Sequence, residues 1–117
     1  MKENKDCIFC KIIAGKIPAE KIWEDDNFMV VGDAYPVSEG HCLVIPKKHY
    51  ETILDMPSTL GTELLDIAKK QSLRLIKEGK AEGIRLAQNN FEAAGQAVKH
   101  FHLHIIPEKK GVKTKRI

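Results

Sequence analysis

Two short apolar runs stand out in the first half of the chain, residues 28–31 (Phe-Met-Val-Val) and 42–45 (Cys-Leu-Val-Ile). Each is strand-sized and far short of the roughly 20 apolar residues that span a bilayer. Residues 7–15 read as a short helix stopped by Gly15, and Pro18 then breaks the pattern. A strand over 21–24, a turn at Asp25-Asp26-Asn27 and a strand over 28–31 follow. Pro36 and Gly40 bound a loop, and residues 41–46 form a third strand ended by Pro46. In the middle, Leu60, Leu64, Ile67, Ala68 and Leu75 recur at helical spacing, with Lys69, Lys70, Arg74 and Lys77 mostly off that stripe. Ser58 or Thr59 can cap this helix, and Gly79 suits its C-terminal end. Residues 83–88 read as a strand, followed by a loop through Asn89, Asn90 and Gly95. A final strand is expected over 98–106, with Pro107 as its stop. The strand connections are short, so the expected class is α+β, a five-stranded antiparallel sheet with one long and one short helix.

A length of 117 residues allows one domain, expected over residues 1–107, with a basic tail over 108–117. The tail sets Lys109, Lys110, Lys113, Lys115 and Arg116 against Glu108, a formal +4. The chain as a whole carries +3, so its body sums to −1 and lacks the basic stripe of a nucleic-acid-binding fold. Nucleic acid is therefore not an expected partner, nor is a membrane. Residues 1–6 show no apolar leader-like run. Three cysteines are too few, and odd in number, for a disulfide scaffold. These features point to a cytoplasmic enzyme or binding protein.

The histidines change the picture. His100, His102 and His104 alternate with Phe101, Leu103 and Ile105. On a strand they would share one face at spacings of about 6.6 Å, with the apolar residues turned to the core. Imidazole serves both metal binding and nucleophilic chemistry near neutral pH. Just upstream, Gly95 would let backbone N–H groups approach an anion, and the Gln96 amide can donate hydrogen bonds.

Residues 95–106, GQAVKHFHLHII, resemble the motif of the histidine triad (HIT) family, His-φ-His-φ-His-φ-φ. Residues 9–19 (FCKIIAGKIPA) are similar to the family's opening segment, and residues 40–49 (GHCLVIPKKH) to its central strand. The resemblance is strongest to the Hint-like nucleotide-binding branch, including its bacterial members.

That resemblance implies a homodimer, with the sheet continued across the dimer, that binds purine nucleoside monophosphates and their conjugates. It implies hydrolysis of nucleoside phosphoramidates or related conjugates at the α-phosphorus through a nucleotidyl-histidine intermediate. His102 would be the nucleophile, His104 a phosphate contact and His41 a supporting residue. Asn89, Gly95, Gln96 and Ala97 would face the phosphate, and Asp33 with Ala34 the ribose. Ile8, Phe9, Ile17 and Phe28 fit either a base pocket or the core. One position departs from the pattern: the family usually has Ser or Thr after the Gln, and here it is Ala97. A lost donor near developing charge can cost about 2.7–4 kcal/mol in kcat.

Cys7-Ile8-Phe9-Cys10 adds a Cys-x-x-Cys spacing. With His49 and His100 it matches the Cys₂His₂ set that some bacterial members use for structural Zn²⁺. A redox pair and free buried thiols are the other readings of these cysteines. Cys42 is expected to be a buried strand residue. Dinucleoside polyphosphate hydrolysis is an alternative activity. A regulatory nucleotide-binding protein with catalysis weakened at Ala97 is an alternative of another class.

Overall fold

A computed structural model describes residues 6–117; residues 1–5 lie outside the described residues. The elements run α1 (Ile8–Ile13), β1 (Lys21–Glu24), β2 (Phe28–Gly32), β3 (Cys42–Pro46), α2 (Gly61–Lys77), β4 (Gly83–Ala87) and β5 (Leu103–Glu108). Single 3₁₀ turns occupy Ser58–Leu60 and Glu92–Ala94. The five strands form one sheet in the order β1-β2-β3-β5-β4, and every neighbouring pair is antiparallel. The α+β class expected from short connections is the class found.

The two apolar runs are continuous because both faces of the sheet are covered. Val30, Cys42, Val44 and Ile105 turn to one side and pack with Ile67, Ala68 and Leu75 of α2. Met29, Val31, Leu43 and Ile45 turn to the other and pack with Cys7, Phe9 and Cys10 around α1. Strand alternation thus divides the interior into an α2 side and an α1 side. Phe28 is fully buried in the α2-side core.

Of the stripe expected on the middle helix, Ile67, Ala68 and Leu75 are buried, with Gln71 added; Leu64 is half-buried, and Leu60 lies half-buried in the preceding 3₁₀ turn. Its C-terminus closes in a Schellman arrangement: Lys80 N donates to Leu75 O, Gly79 N to Ile76 O, and Gly79 takes φ 76°. The start differs from expectation. Neither Ser58 nor Thr59 caps the helix; the 3₁₀ turn leads directly into it, and no side chain caps its first turn.

The last strand differs more. It begins at Leu103, not at residue 98, and continues through Pro107. Residues 100 and 101 spend their N–H groups elsewhere, on Val98 O (2.8 Å) and Tyr50 O (2.6 Å). Pro107 is tolerated because its C=O accepts from Ser38 Oγ at 2.7 Å, away from β4, on the side where β3 has already ended. Its missing N–H faces the same side and breaks no ladder.

Candidate functional site

β5 places His104 opposite Leu43 of β3 and Ala87 of β4, on the α1 side of the sheet. His102 precedes the strand, and its ring lies 5.0 Å from that of His104, centroid to centroid. His100 leaves this row. Its ring turns to the cysteines of α1, and Phe9 meets both His100 and His102 edge-on, at 5.8 and 5.1 Å. The expected single face of three imidazoles is therefore two sites sharing one short segment, since residues 100–102 are not in the strand.

His102 is buried, and its Nδ1 lies 2.7 Å from the carbonyl oxygen of His100. A carbonyl only accepts, so Nδ1 carries the proton and Nε2 keeps its lone pair. Among the described residues no hydrogen bond engages that Nε2. Burial lowers the imidazole's pKa, against the His100 carbonyl and Asp33, which raise it. The ring is thus held neutral with a free lone pair.

A second chain of contacts fixes His104. Val37 N donates to His41 Nδ1 at 3.1 Å, so the proton of neutral His41 is on Nε2. That Nε2 lies 2.9 Å from His104 Nδ1. His104 therefore accepts at Nδ1 and presents an Nε2–H donor. Asp33 Oδ1 accepts from Tyr35 N at 2.8 Å, and this turn aims Oδ2 at His41 Nε2, 3.4 Å away. Burial, followed by the charges of His102 and His41, pushes His104 down to about 4.

Asp33, His41 and His104 are close enough to hold a cation. The chemistry of the set speaks against it. A ligating imidazole donates its other N–H outward, whereas His41 must accept from Val37 there.

The cluster of Cys7, Cys10, His49 and His100 passes the same test. Cys7 Sγ is 3.2 Å from His100 Nδ1, Cys10 Sγ is 3.3 Å from His49 Nδ1 and 3.5 Å from His100 Nδ1, and the two Nδ1 atoms are 3.1 Å apart. A tetrahedral zinc with ordinary Zn–S and Zn–N bonds needs N···N and N···S edges of about 3.3–3.6 Å. His100 Nε2 donates to Pro46 O at 2.8 Å, which leaves Nδ1 unprotonated for a metal. Burial raises the Cys7 thiol to about 11, a cost that a bound cation would offset. Cys42 is fully buried on the other side of the sheet and takes no part.

The loop before the histidines is built on two unusual backbones. Gly95 takes φ 92°, and Phe91 takes φ 72°, a costly conformation for a residue with a Cβ. Gln96 brackets Phe91, its N donating to Phe91 O (3.1 Å) and its Oε1 accepting from Phe91 N (2.6 Å). Gln96 Nε2 donates to Glu51 O at 2.6 Å, so much of this amide is spent holding the loop. The N–H groups of Ala97, Val98 and Lys99 have no acceptor among the described residues. Asn89 Nδ2 reaches Gly95 O at 3.5 Å.

The remaining expected residues scatter. Ala34 is exposed beside Asp33. Ile8 is 45% exposed and lines a recess with Cys7, Ala97 and Lys99. Ile17 lines a separate cavity of about 300 Å³ with Ile12, Ile13 and Met29. Val37, Pro46, Tyr50 and Glu51 act through backbone atoms alone, and no side-chain pattern signals them.

A family model described as the HIT domain matches residues 14–111. A HIT-like protein of Methanocaldococcus jannaschii is 43% identical over 107 residues, covering 90% of this chain and 81% of its own length. An adenylylsulfatase of Arabidopsis thaliana is 40% identical over 106 residues, covering 91% of this chain and 54% of its own. A Zn-bound histidine triad family protein from Mycobacterium smegmatis superposes with a TM-score of 0.86 at 37% identity, over 94% of this chain and 80% of that one.

Proposed function

This chain belongs to the HIT domain family, and from that footing we propose that it is a purine nucleotide-binding hydrolase. It cleaves nucleoside phosphoramidates or related nucleotidyl conjugates at the α-phosphorus. The observation that carries this reading is the 2.7 Å contact from His102 Nδ1 to the His100 carbonyl, which leaves Nε2 as a nucleophile. In the first step Nε2 attacks phosphorus, the bond to the leaving nitrogen breaks, and that nitrogen departs as an amine with a proton from solvent. In the second step water attacks phosphorus, the P–Nε2 bond breaks, and the water's surplus proton returns to solvent. The nucleoside monophosphate is released with His102 restored.

His104 Nε2–H and the N–H groups of Ala97, Val98 and Lys99 are set to bind phosphoryl oxygens, where donors stabilise developing charge. Asp33 and Ala34 would take the ribose, with Asn89 beside the phosphate. Ile17 and its cavity, with Phe9, would take the base; Ile8 sits on the recess beside Ala97 and Lys99, towards the leaving group. Cys7, Cys10, His49 and His100 would hold a structural Zn²⁺, which when bound supplies a four-point cross-link with no open position for chemistry.

We also place the protein as a cytoplasmic homodimer. Leu65, Leu73 and Ile76 of α2 and Leu86 of β4 are all about half exposed and together line one apolar recess. They adjoin the open edge of β4, so a second copy would cover the recess and continue the sheet in one contact. The tail over 108–117 lies outside the catalytic reading. No helix among the described residues is long and apolar enough to cross a membrane.

The test is incubation with adenosine phosphoramidate and, separately, with a diadenosine polyphosphate and adenylyl sulfate. Release of AMP from the first supports the reading. Preference for the second moves the protein to polyphosphate hydrolysis, and preference for the third to the activity named for the Arabidopsis relative. Binding of AMP with no turnover of any substrate would leave a nucleotide-binding regulator.

A further inference from the structure

The two-step reaction fixes what happens at phosphorus and leaves the departing group unspecified. Attack and departure at phosphorus run roughly in line, so the leaving group lies across the phosphoryl group from His102 Nε2. The donors assigned to that phosphoryl group include the N–H groups of Ala97, Val98 and Lys99, which have no acceptor among the described residues. The same three residues border a recess of about 540 Å³, walled elsewhere by Asp6, Cys7 and Ile8. Ammonia or methylamine would fill little of it; its size is that of a small-molecule site. Its walls differ in chemistry. Ile8 is 45% exposed and offers apolar surface, and Ala97 adds a methyl group without a donor. Lys99 is exposed, and among the described residues no hydrogen bond or ion pair engages its side chain. Asp6, the one carboxylate among the described lining residues, has a partner of its own. The charge available to a ligand in this recess is therefore that of Lys99.

We propose that Lys99 is a specificity-determining residue, and that the substrates are phosphoramidates whose leaving amine carries an anionic group, as an N-linked amino acid does. This rests on the hydrolase reading above. The carboxylate of the amine pairs with Lys99 Nζ, and its apolar part lies against Ile8 and Ala97. An ammonium suits this task, with three donors and a compact charge on a flexible stem. Lys99 moves no proton. The P–N bond breaks and the nitrogen leaves with a proton from solvent, as in the first step already given. The ion pair exists in the bound substrate as well as in the transition state, so it acts on KM more than on kcat.

The experiment uses the full chain and three substrates: adenosine phosphoramidate, its N-linked alanine derivative with a free carboxylate, and the methyl ester of that derivative. The readout is the ratio of kcat/KM for the free acid to that for the ester. The two amines differ in basicity, but that difference is the same for every variant. A change in the ratio on substituting Lys99 therefore isolates the side chain, and Lys99→Gln, Lys99→Glu and Lys99→Arg all keep the backbone N–H. The ratio should fall about two- to fivefold in Lys99→Gln, chiefly through KM of the free acid. It should fall further in Lys99→Glu and stay closest to wild type in Lys99→Arg. Added salt should lower the ratio more steeply in wild type than in Lys99→Gln. Equal ratios in wild type, Lys99→Gln and Lys99→Glu would make Lys99 a solvated surface residue and overturn the proposal. So would a ratio that rises in Lys99→Gln, which would give the recess to a cationic amine facing Asp6. If none of the three substrates releases AMP, the hydrolase reading fails instead. Calorimetric affinities of the acid and the ester for wild type and Lys99→Gln then decide whether Lys99 reads the carboxylate.

Discussion

The backbone N–H of Val37 lies 3.1 Å from Nδ1 of His41, and this one contact sets the proton position of two histidines in turn. A main-chain donor cannot change its protonation, so His41 is held as the Nε2–H form and His104 with its Nε2–H free to donate. His41→Leu removes the link and should lower kcat about tenfold or more, with a smaller change in KM. His41→Gln can still donate from its amide and should keep more activity than the Leu variant. Equal activities for the two variants would remove His41 from this role.

His102→Ala deletes the proposed nucleophile and should reduce turnover by about 10³-fold or more, as loss of such a group does elsewhere. Amide spectra and AMP binding should survive. Release of AMP at an undiminished rate would exclude a nucleotidyl-histidine at this position.

Ala97 lines an open recess with Lys99, so a hydroxyl fits there without displacing anything buried. Ala97→Ser should raise kcat, by up to about 10³-fold if the lost donor has its usual worth. A steady-state comparison on one phosphoramidate checks this, and equal or lower turnover in the serine variant counts against it.

Protein purified without chelator should contain one zinc per chain by elemental analysis. Cys7→Ser and Cys10→Ser should lose it, whereas Cys42→Ala should retain it, because Cys42 lies across the sheet in the α2-side core. Loss of zinc on changing Cys42 would place the metal elsewhere.

His41 and His104 are both held below the ordinary histidine value, mainly by burial. Asp33 opposes this in both; Arg85 adds to it in both, and His102 adds to it in His104. Each is neutral in the fold and titrates near 6.5 when unfolded. The unfolded chain therefore binds more protons in acid, and stability rises with pH. Their contribution is complete above about pH 6.5 and is lost as pH falls toward the value of about 4 given for His104. Each can add a slope of up to about 1.4 kcal/mol per pH unit in that window. Urea midpoints of wild type and His104→Gln from pH 7.5 to 4.5 measure the difference, and parallel profiles would refute it.

The helices and the succession of strands along the chain were legible because period and punctuation report burial, whereas the order of strands in the sheet and the cover on both its faces were not. The run 28–31 is apolar throughout, so nothing in it announced that Val30 and Met29 serve separate cores. The site was legible only as a set of residue types. Nothing in HFHLH shows that His100 turns away from His102 and His104, because a strand pattern says nothing about where hydrogen bonding begins. The partners that set the tautomers, Val37 N–H and the carbonyls of His100 and Pro46, are main-chain atoms and leave no trace in side-chain identity. The Ser58 and Thr59 signal failed for a related reason: a 3₁₀ turn met the need that a side-chain cap would have met.

The place of β5 governs when the sheet can close. It is the last strand in the chain, yet it sits between β3 and β4, with Cys42 paired to Ile105 and Leu86 to the same residue. Until the ribosome has released this segment, two strands have no neighbour on their inner edges and the histidines at its start have no pocket. Pairings so distant along the chain form late, after the local hairpin of β1 and β2. A chain lacking this segment thus has exposed sheet edges, and the histidine cluster is assembled by the same event that closes the sheet.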